Sequence, residues 1–88
     1  MRSIYEVQVI DGVICITDLD GVKSVTNDIE EIIGDLARAG LSLDAPIIYC
    51  DSNGIWDGVK VENGEFKGFR ILAGQFRHEA VAAIKQMT

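Results

Sequence analysis

The chain has 88 residues, 48% of them hydrophobic and 25% charged, with a formal net charge of −6. That length holds one core and predicts a single domain over residues 1–88, and the balance of apolar and charged residues excludes disordered and collagen-like chains. A domain this small buries only about 60–68% of the surface its unfolded chain exposes, so a surface shared with a second copy would add stability.

Residues 1–8 carry a polar side chain at every second position, unlike the uninterrupted apolar stretch of a secretory signal. No run reaches the ~20 apolar residues of a membrane helix, so no membrane partner is expected and the expected setting is cytoplasmic. There the two cysteines stay reduced. Cys15 and Cys50 each sit in an apolar run, residues 13–16 and 47–50, and read as buried hydrophobes. With His78 as the sole histidine, no zinc cage is expected and no cofactor is implied.

Asp11-Gly12 separates two β-rich runs, residues 3–10 and 13–18, and predicts a tight type I′ hairpin. Asp20-Gly21 marks another turn, with an optional third strand over residues 22–25. The period then changes to that of a helix. Ile29, Ile32, Ile33, Leu36 and Ala37 fall on one stripe, with Asn27 as N-cap and Glu30 placed to close a capping box. Gly40 fits the left-handed position after the last turn, with Leu41 folding back on Leu36.

Pro46 restarts an extended segment, Ser52-Asn53-Gly54 turns it, and Asn63-Gly64 turns it again, which predicts a three-stranded meander over residues 46–72. Gly58 and Gly68 interrupt those strands and mark bulges or close backbone contacts. From Gln75 to Met87 the helical period returns, with Phe76, Ala80, Ala83, Ile84 and Met87 on one side. The order ββ(β)αβββα predicts an α+β fold: a small two-layer domain, its mostly antiparallel sheet of five or six strands carrying both helices on one face.

The string Ile14-Cys15-Ile16-Thr17-Asp18-Leu19-Asp20-Gly21-Val22 resembles the first motif of haloacid-dehalogenase-type phosphatases. The resemblance implies Asp18 as nucleophile and Asp20 as general acid and base, with magnesium neutralising the phosphate. It covers nine residues only. That family's sheet is parallel with helical crossovers, whereas tight hairpins are predicted on both sides here, and Asp-Gly is ordinary turn chemistry. The string therefore reads as a turn. Asp18, Asp20, Asp51 and Asp57 each stand where turns favour aspartate, which accounts for them without a metal. His78 has only its helix neighbour Glu79 nearby, and adjacent helix residues do not face one another. No catalytic constellation is legible, and the expectation is a protein that is not an enzyme.

Charge and aromatics point instead to binding. Residues 1–65 hold thirteen acids against four bases, and residues 66–88 hold one acid against four bases, Lys67, Arg70, Arg77 and Lys85. Nucleic acid is disfavoured as a partner, because the whole molecule would repel a phosphate backbone. Strand alternation puts Trp56 and Lys60 opposite the face of Val59 and Val61. Regular pairing across Asn63-Gly64 then matches Val61 with Phe66, Val59 with Gly68, Lys60 with Lys67 and Gly58 with Phe69. In that register Trp56, Phe69 and Ile71 form an exposed apolar strip flanked by Lys60 and Lys67.

The leading expectation is thus a protein-interaction module, a homodimer joined through an open sheet face or an edge strand. The alternative is a small-molecule binder with a pocket between sheet and helices, lined by Tyr49, Trp56 and Phe69, with Arg70 or an aspartate supplying polarity. A further alternative is an acidic inhibitor of a nucleic-acid-binding protein, presenting Asp28, Glu30, Glu31 and Asp35 along the first helix.

Overall fold

A computed structural model describes residues 4–19, 25–51 and 53–87. In chain order the elements are β1 (Tyr5–Ile10), β2 (Val13–Asp18), α1 (Val25–Arg38), β3 (Ile47–Cys50), β4 (Trp56–Glu62), β5 (Glu65–Gly74) and α2 (Arg77–Gln86). The strands make one five-stranded sheet in the order β1-β2-β3-β4-β5. Three pairings are antiparallel, and β2 with β3 is parallel.

Both predicted two-residue turns form as the Asp-Gly and Asn-Gly pairs dictate. Asp11 and Gly12 have φ of 52° and 77°, Asn63 and Gly64 have 54° and 78°, and the flanking pairs Ile10↔Val13 and Glu62↔Glu65 close directly onto them. Such turns match the right-handed twist of the strands they join. After α1 the Leu41 N–H donates to the Leu36 carbonyl and the Gly40 N–H to the Ala37 carbonyl, both at 3.1 Å, which is the Schellman ending. The start of α1 differs from expectation. The helix begins at Val25, so Asn27 lies in its first turn and does not cap it. Residues 20–24, which hold the second Asp-Gly turn and most of the optional third strand, lie outside the described residues.

The α+β class, the five strands and the two helices are as predicted, and the layering is not. The parallel pair requires a crossover, which α1 makes over one face of the sheet. There Ile29, Ile32, Ile33 and Leu36 pack on Ile14, Ile16, Ile47 and Tyr49. Helix α2 covers the opposite face, where Ala80, Val81 and Ile84 pack on Val13, Cys15, Ile48, Cys50 and Trp56. The molecule has three layers, α1, sheet and α2, with two separate cores. At about 1.5–3 kcal/mol per buried aliphatic side chain, the four of α1 outweigh the smaller set that α2 contributes. α2 is also shorter than predicted, and Phe76 sits exposed before it, its ring stacked at 5.8 Å on His78.

The second cause of altered expectation is local. The β4–β5 ladder slips twice, between Trp56 and Gly58 and between Lys60 and Val61. Opposite the second slip, Lys67 is the extra residue and Gly68 takes a φ of 145°. One extra residue reverses the faces of everything after it. Val61↔Phe66 pairs as predicted, but Lys60 meets Gly68, Val59 meets Phe69 and Gly58 meets Arg70.

Gly58 also marks the close contact its position suggested. A Cβ there would lie 3.0 Å from Ile84 Cδ1 and 3.3 Å from the Arg70 Cβ and carbonyl oxygen. Gly58→Ala is therefore expected to lower stability by about 1–3 kcal/mol in urea unfolding. Combining it with Ile84→Val, which removes the contacting methyl, is expected to cost less than the sum of the two single changes.

Candidate functional site

Because β2 and β3 run parallel, their carboxyl ends lie side by side at one edge of the molecule. In sheets with parallel strands, this is the end where ligands bind. β4 starts at this end and β5 finishes there. On the α1 side, Tyr49, Asp51, Ile55, Asp57, Phe69 and Ile71 line a pocket of about 270 Å³. Alternation explains the set: Tyr49↔Asp57 and Val59↔Phe69 are register partners, and Asp51, Ile55 and Ile71 lie two residues from a member of the same face.

Each polar group of the pocket is held by a defined bond. Tyr49 is 2% exposed, and its hydroxyl donates to Asp18 Oδ2 at 2.6 Å, tying the end of β3 to the end of β2. Asp51 Oδ1 accepts from the N–H groups of Asn53 at 2.8 Å and Ile55 at 3.2 Å, while the Asp51 carbonyl accepts from Gly54 N–H at 3.0 Å. These bonds close the β3–β4 turn. Asp57 Oδ1 accepts the Leu72 N–H at 3.1 Å, where the strand β5 bulges away from its regular partner. The ring of Phe69 stands edge-on to Tyr49 at 5.8 Å and to Phe66 at 5.1 Å, a row of three aromatics. Edge-to-face pairs of this kind add about 0.5–1.5 kcal/mol each beyond burial.

The charged residues among the described lining are both acidic, Asp51 and Asp57. On the other side of the sheet, burial pushes the Cys50 thiol up, and the charges of Asp51 and Asp18 push it further in the same direction. The Cys15 thiol is also raised by burial, with Arg77 acting against the rise. Both thiols are therefore held in the protonated, unreactive form.

The expected binding residues separate into three groups. Tyr49, Phe69 and Ile71 meet at the pocket. Lys60 and Arg70 belong to the α2 side, where with Asp44 and Glu62 they line a wider cleft of about 430 Å³ whose charges balance. Lys67 lies at the bulge, 3.4 Å from Glu65 Oε2. Trp56 is 7% exposed, inside the core under α2. The predicted strip of Trp56, Phe69 and Ile71 does not form, because the Lys67 bulge turns Phe69 and Ile71 to the α1 side and α2 covers Trp56. A helix packs on each side of the sheet, and its outermost strands are β1 and β5. Likewise Trp56 and Arg70 do not line the pocket, and its charged residues are Asp51 and Asp57.

Asp51, Ile55 and Asp57 were not among the expected binding residues. Both aspartates read as turn residues, and both do brace backbone; the β3–β4 register Tyr49↔Asp57 and the two-residue step from Tyr49 to Asp51 bring them beside Tyr49, while the parallel β2–β3 pair brings in Asp18. That pair also corrects the expectation that hairpins flank the Asp18 string on both sides, since α1 follows it as a crossover. Asp20 lies outside the described residues, and Asp18 Oδ2 is engaged by Tyr49. Along α1, Glu30 is exposed and Asp35 pairs with Arg38. Among the described residues, no group of three or more His, Cys, Asp or Glu side chains converges to hold a metal ion, and no helix is long and apolar enough to cross a membrane. Compared with known proteins, the chain matches no family model, no curated protein and no solved structure.

The burial of Trp56 sets a quantitative expectation. Trp56→Ala should cost about 3–5 kcal/mol, against the roughly 4–13 kcal/mol that a chain of this length holds in total. Urea unfolding would measure the loss, and the native protein should show blue-shifted tryptophan emission that moves to the red on unfolding.

Proposed function

We propose that this chain is a non-enzymatic binding domain whose ligand seats in the pocket of Tyr49, Phe69 and Ile71. The observation that carries the reading is the combination of aromatic walls with carboxylates already fixed by backbone bonds, at the carboxyl ends of a parallel strand pair. Ligand pockets are mostly apolar, with a few polar groups placed to orient what enters. Groups fixed beforehand lose little freedom on binding. At about 270 Å³ the pocket is at the lower limit for drug-sized molecules, which suits a small metabolite or a single protruding group. Among the described residues, those lining it are aromatic, aliphatic or aspartate.

A thermal-shift panel of common metabolites tests this. A ligand at ten times its Kd stabilises by about 1.4 kcal/mol, which for a domain of this size raises Tm by roughly 5–10 °C. The shift should disappear in Ile71→Arg, which places a long side chain at the pocket's rim from a position that is 79% exposed. Hits that survive that substitution, or a panel without hits, would count against the pocket.

Self-association is the second reading, here through an edge strand. β5 is an outermost strand of ten residues, and Ile71 on it is, among the described residues, the most exposed of the large apolar side chains. Two copies pairing along β5 would satisfy the unpaired strand edge and cover Ile71. Native mass spectrometry should then show a dimer that Ile71→Lys dissociates, and a wild-type monomer at all concentrations would remove the reading.

A further inference from the structure

Resting on the pocket reading above, we infer that the ligand group this pocket accepts is an organic cation, an alkylammonium or guanidinium. The 270 Å³ cavity is walled by Tyr49 and Phe69, and the charged residues lining it are Asp51 and Asp57. A third carboxylate, Asp18, stands behind Tyr49 at the end of its hydroxyl. The three come from separate places in the chain, the end of β2, the β3–β4 turn and β4, and the fold gathers them at one end of the sheet.

Aromatic walls and carboxylates act on a cation in the same direction. A cation over the face of an aromatic ring is attracted to it, the more so as water is excluded. A half-buried carboxylate acts through an effective dielectric well below that of water. All three aspartates are half-buried. An anion would meet repulsion from each of them, and a neutral polar molecule would gain a hydrogen bond but not the charge–charge attraction.

The arrangement also separates an organic cation from a metal ion. Calcium and magnesium need six or more oxygens within about 2.0–2.6 Å of one point. Here the described acids do not converge in that way, and Oδ1 of Asp51 and Oδ1 of Asp57 already accept from backbone N–H groups. Carboxylates spread around an apolar wall fit a larger, diffuse charge carried on an alkyl stem. The stem would lie against Ile55, Phe69 and Ile71, with the charged end toward Asp51 and Asp57.

The test is a titration of the full chain followed through the amide signals of Tyr49, Asp57, Phe69 and Ile71. The probes are n-butylammonium, n-butylguanidinium, and the uncharged n-butanol and anionic butyrate of similar size. The cations are expected to bind at millimolar concentration, the range open to ligands of so few atoms, and about tenfold or more tightly than butanol. Added salt should weaken them. Asp51→Asn and Asp57→Asn each keep a carbonyl acceptor for the backbone N–H groups, so the fold persists while the charge is lost; together they should reduce cation binding at least about tenfold and leave butanol unchanged.

Equal binding of butanol and butylammonium at the same residues would overturn the cation and leave the pocket standing. Silence of these signals with all four probes would overturn both. A blocked lysine or arginine amino acid, added as a fifth probe, distinguishes the source: tighter binding than the free amines indicates a side chain presented by a protein, and equal or weaker binding a free metabolite. Either order upholds the cation.

Discussion

Over Val13–Ile16 and Ile47–Cys50 every side chain is buried, so these two strands can stand in water only if both faces of the sheet are covered. The parallel pairing of β2 with β3 follows from the same need, because a crossover helix is the element that covers one face while joining two parallel strands. α1 supplies that cover with a dense isoleucine stripe. α2, arriving after β5, closes the other face with only Ala80, Val81 and Ile84 fully buried. The two cores therefore share one central layer, and a loss on either side exposes the back of the other's strands.

From that layer the pocket follows. α1 lies over the strands from the end of β2, and its contacts reach Phe66 beside the β4–β5 turn, as the row of residues Glu30, Ile33, Gly34 and Phe66 around a shared depression shows. The carboxyl ends of β3 and β5 and the amino end of β4 hold, on the same face, an aromatic wall and two carboxylates around a hollow. The bracing there is polar and local: Asp51 closes a turn, Asp57 holds a bulge, and Tyr49 joins two strands through Asp18. Asp51 and Asp57 brace backbone N–H groups through Oδ1, and the charges of Asp51 and Asp18 act through the sheet on Cys50.

The β4–β5 ladder shows how one residue redistributes a surface. Had Lys67 paired regularly with Lys60, Phe69 would have joined Trp56 on one side. The bulge at Lys67 and Gly68 instead unites Phe66, Phe69 and Tyr49 on the other, and places Arg70 across from Gly58 near α2. A glycine with room to bulge is visible in a sequence; the direction and size of the slip are set by which side chains then find a core.

Local signals in the chain determined the elements themselves: Asp11-Gly12 and Asn63-Gly64 made the hairpin turns, the Ile29–Leu36 stripe made a helix, and Gly40 ended it. Even the covering of both faces was written in the unbroken apolar runs around Cys15 and Cys50, though amphipathic helices alone suggested a single covered face. Tertiary structure alone decided that β2 pairs in parallel with β3, that Trp56 is core, and that Asp51 and Asp57 stand beside Tyr49 and Phe69. The reason is physical. Turns and helical stripes depend on residues within a few positions of one another, whereas strand partners, bulge registers and pocket walls depend on which distant surfaces must leave water together.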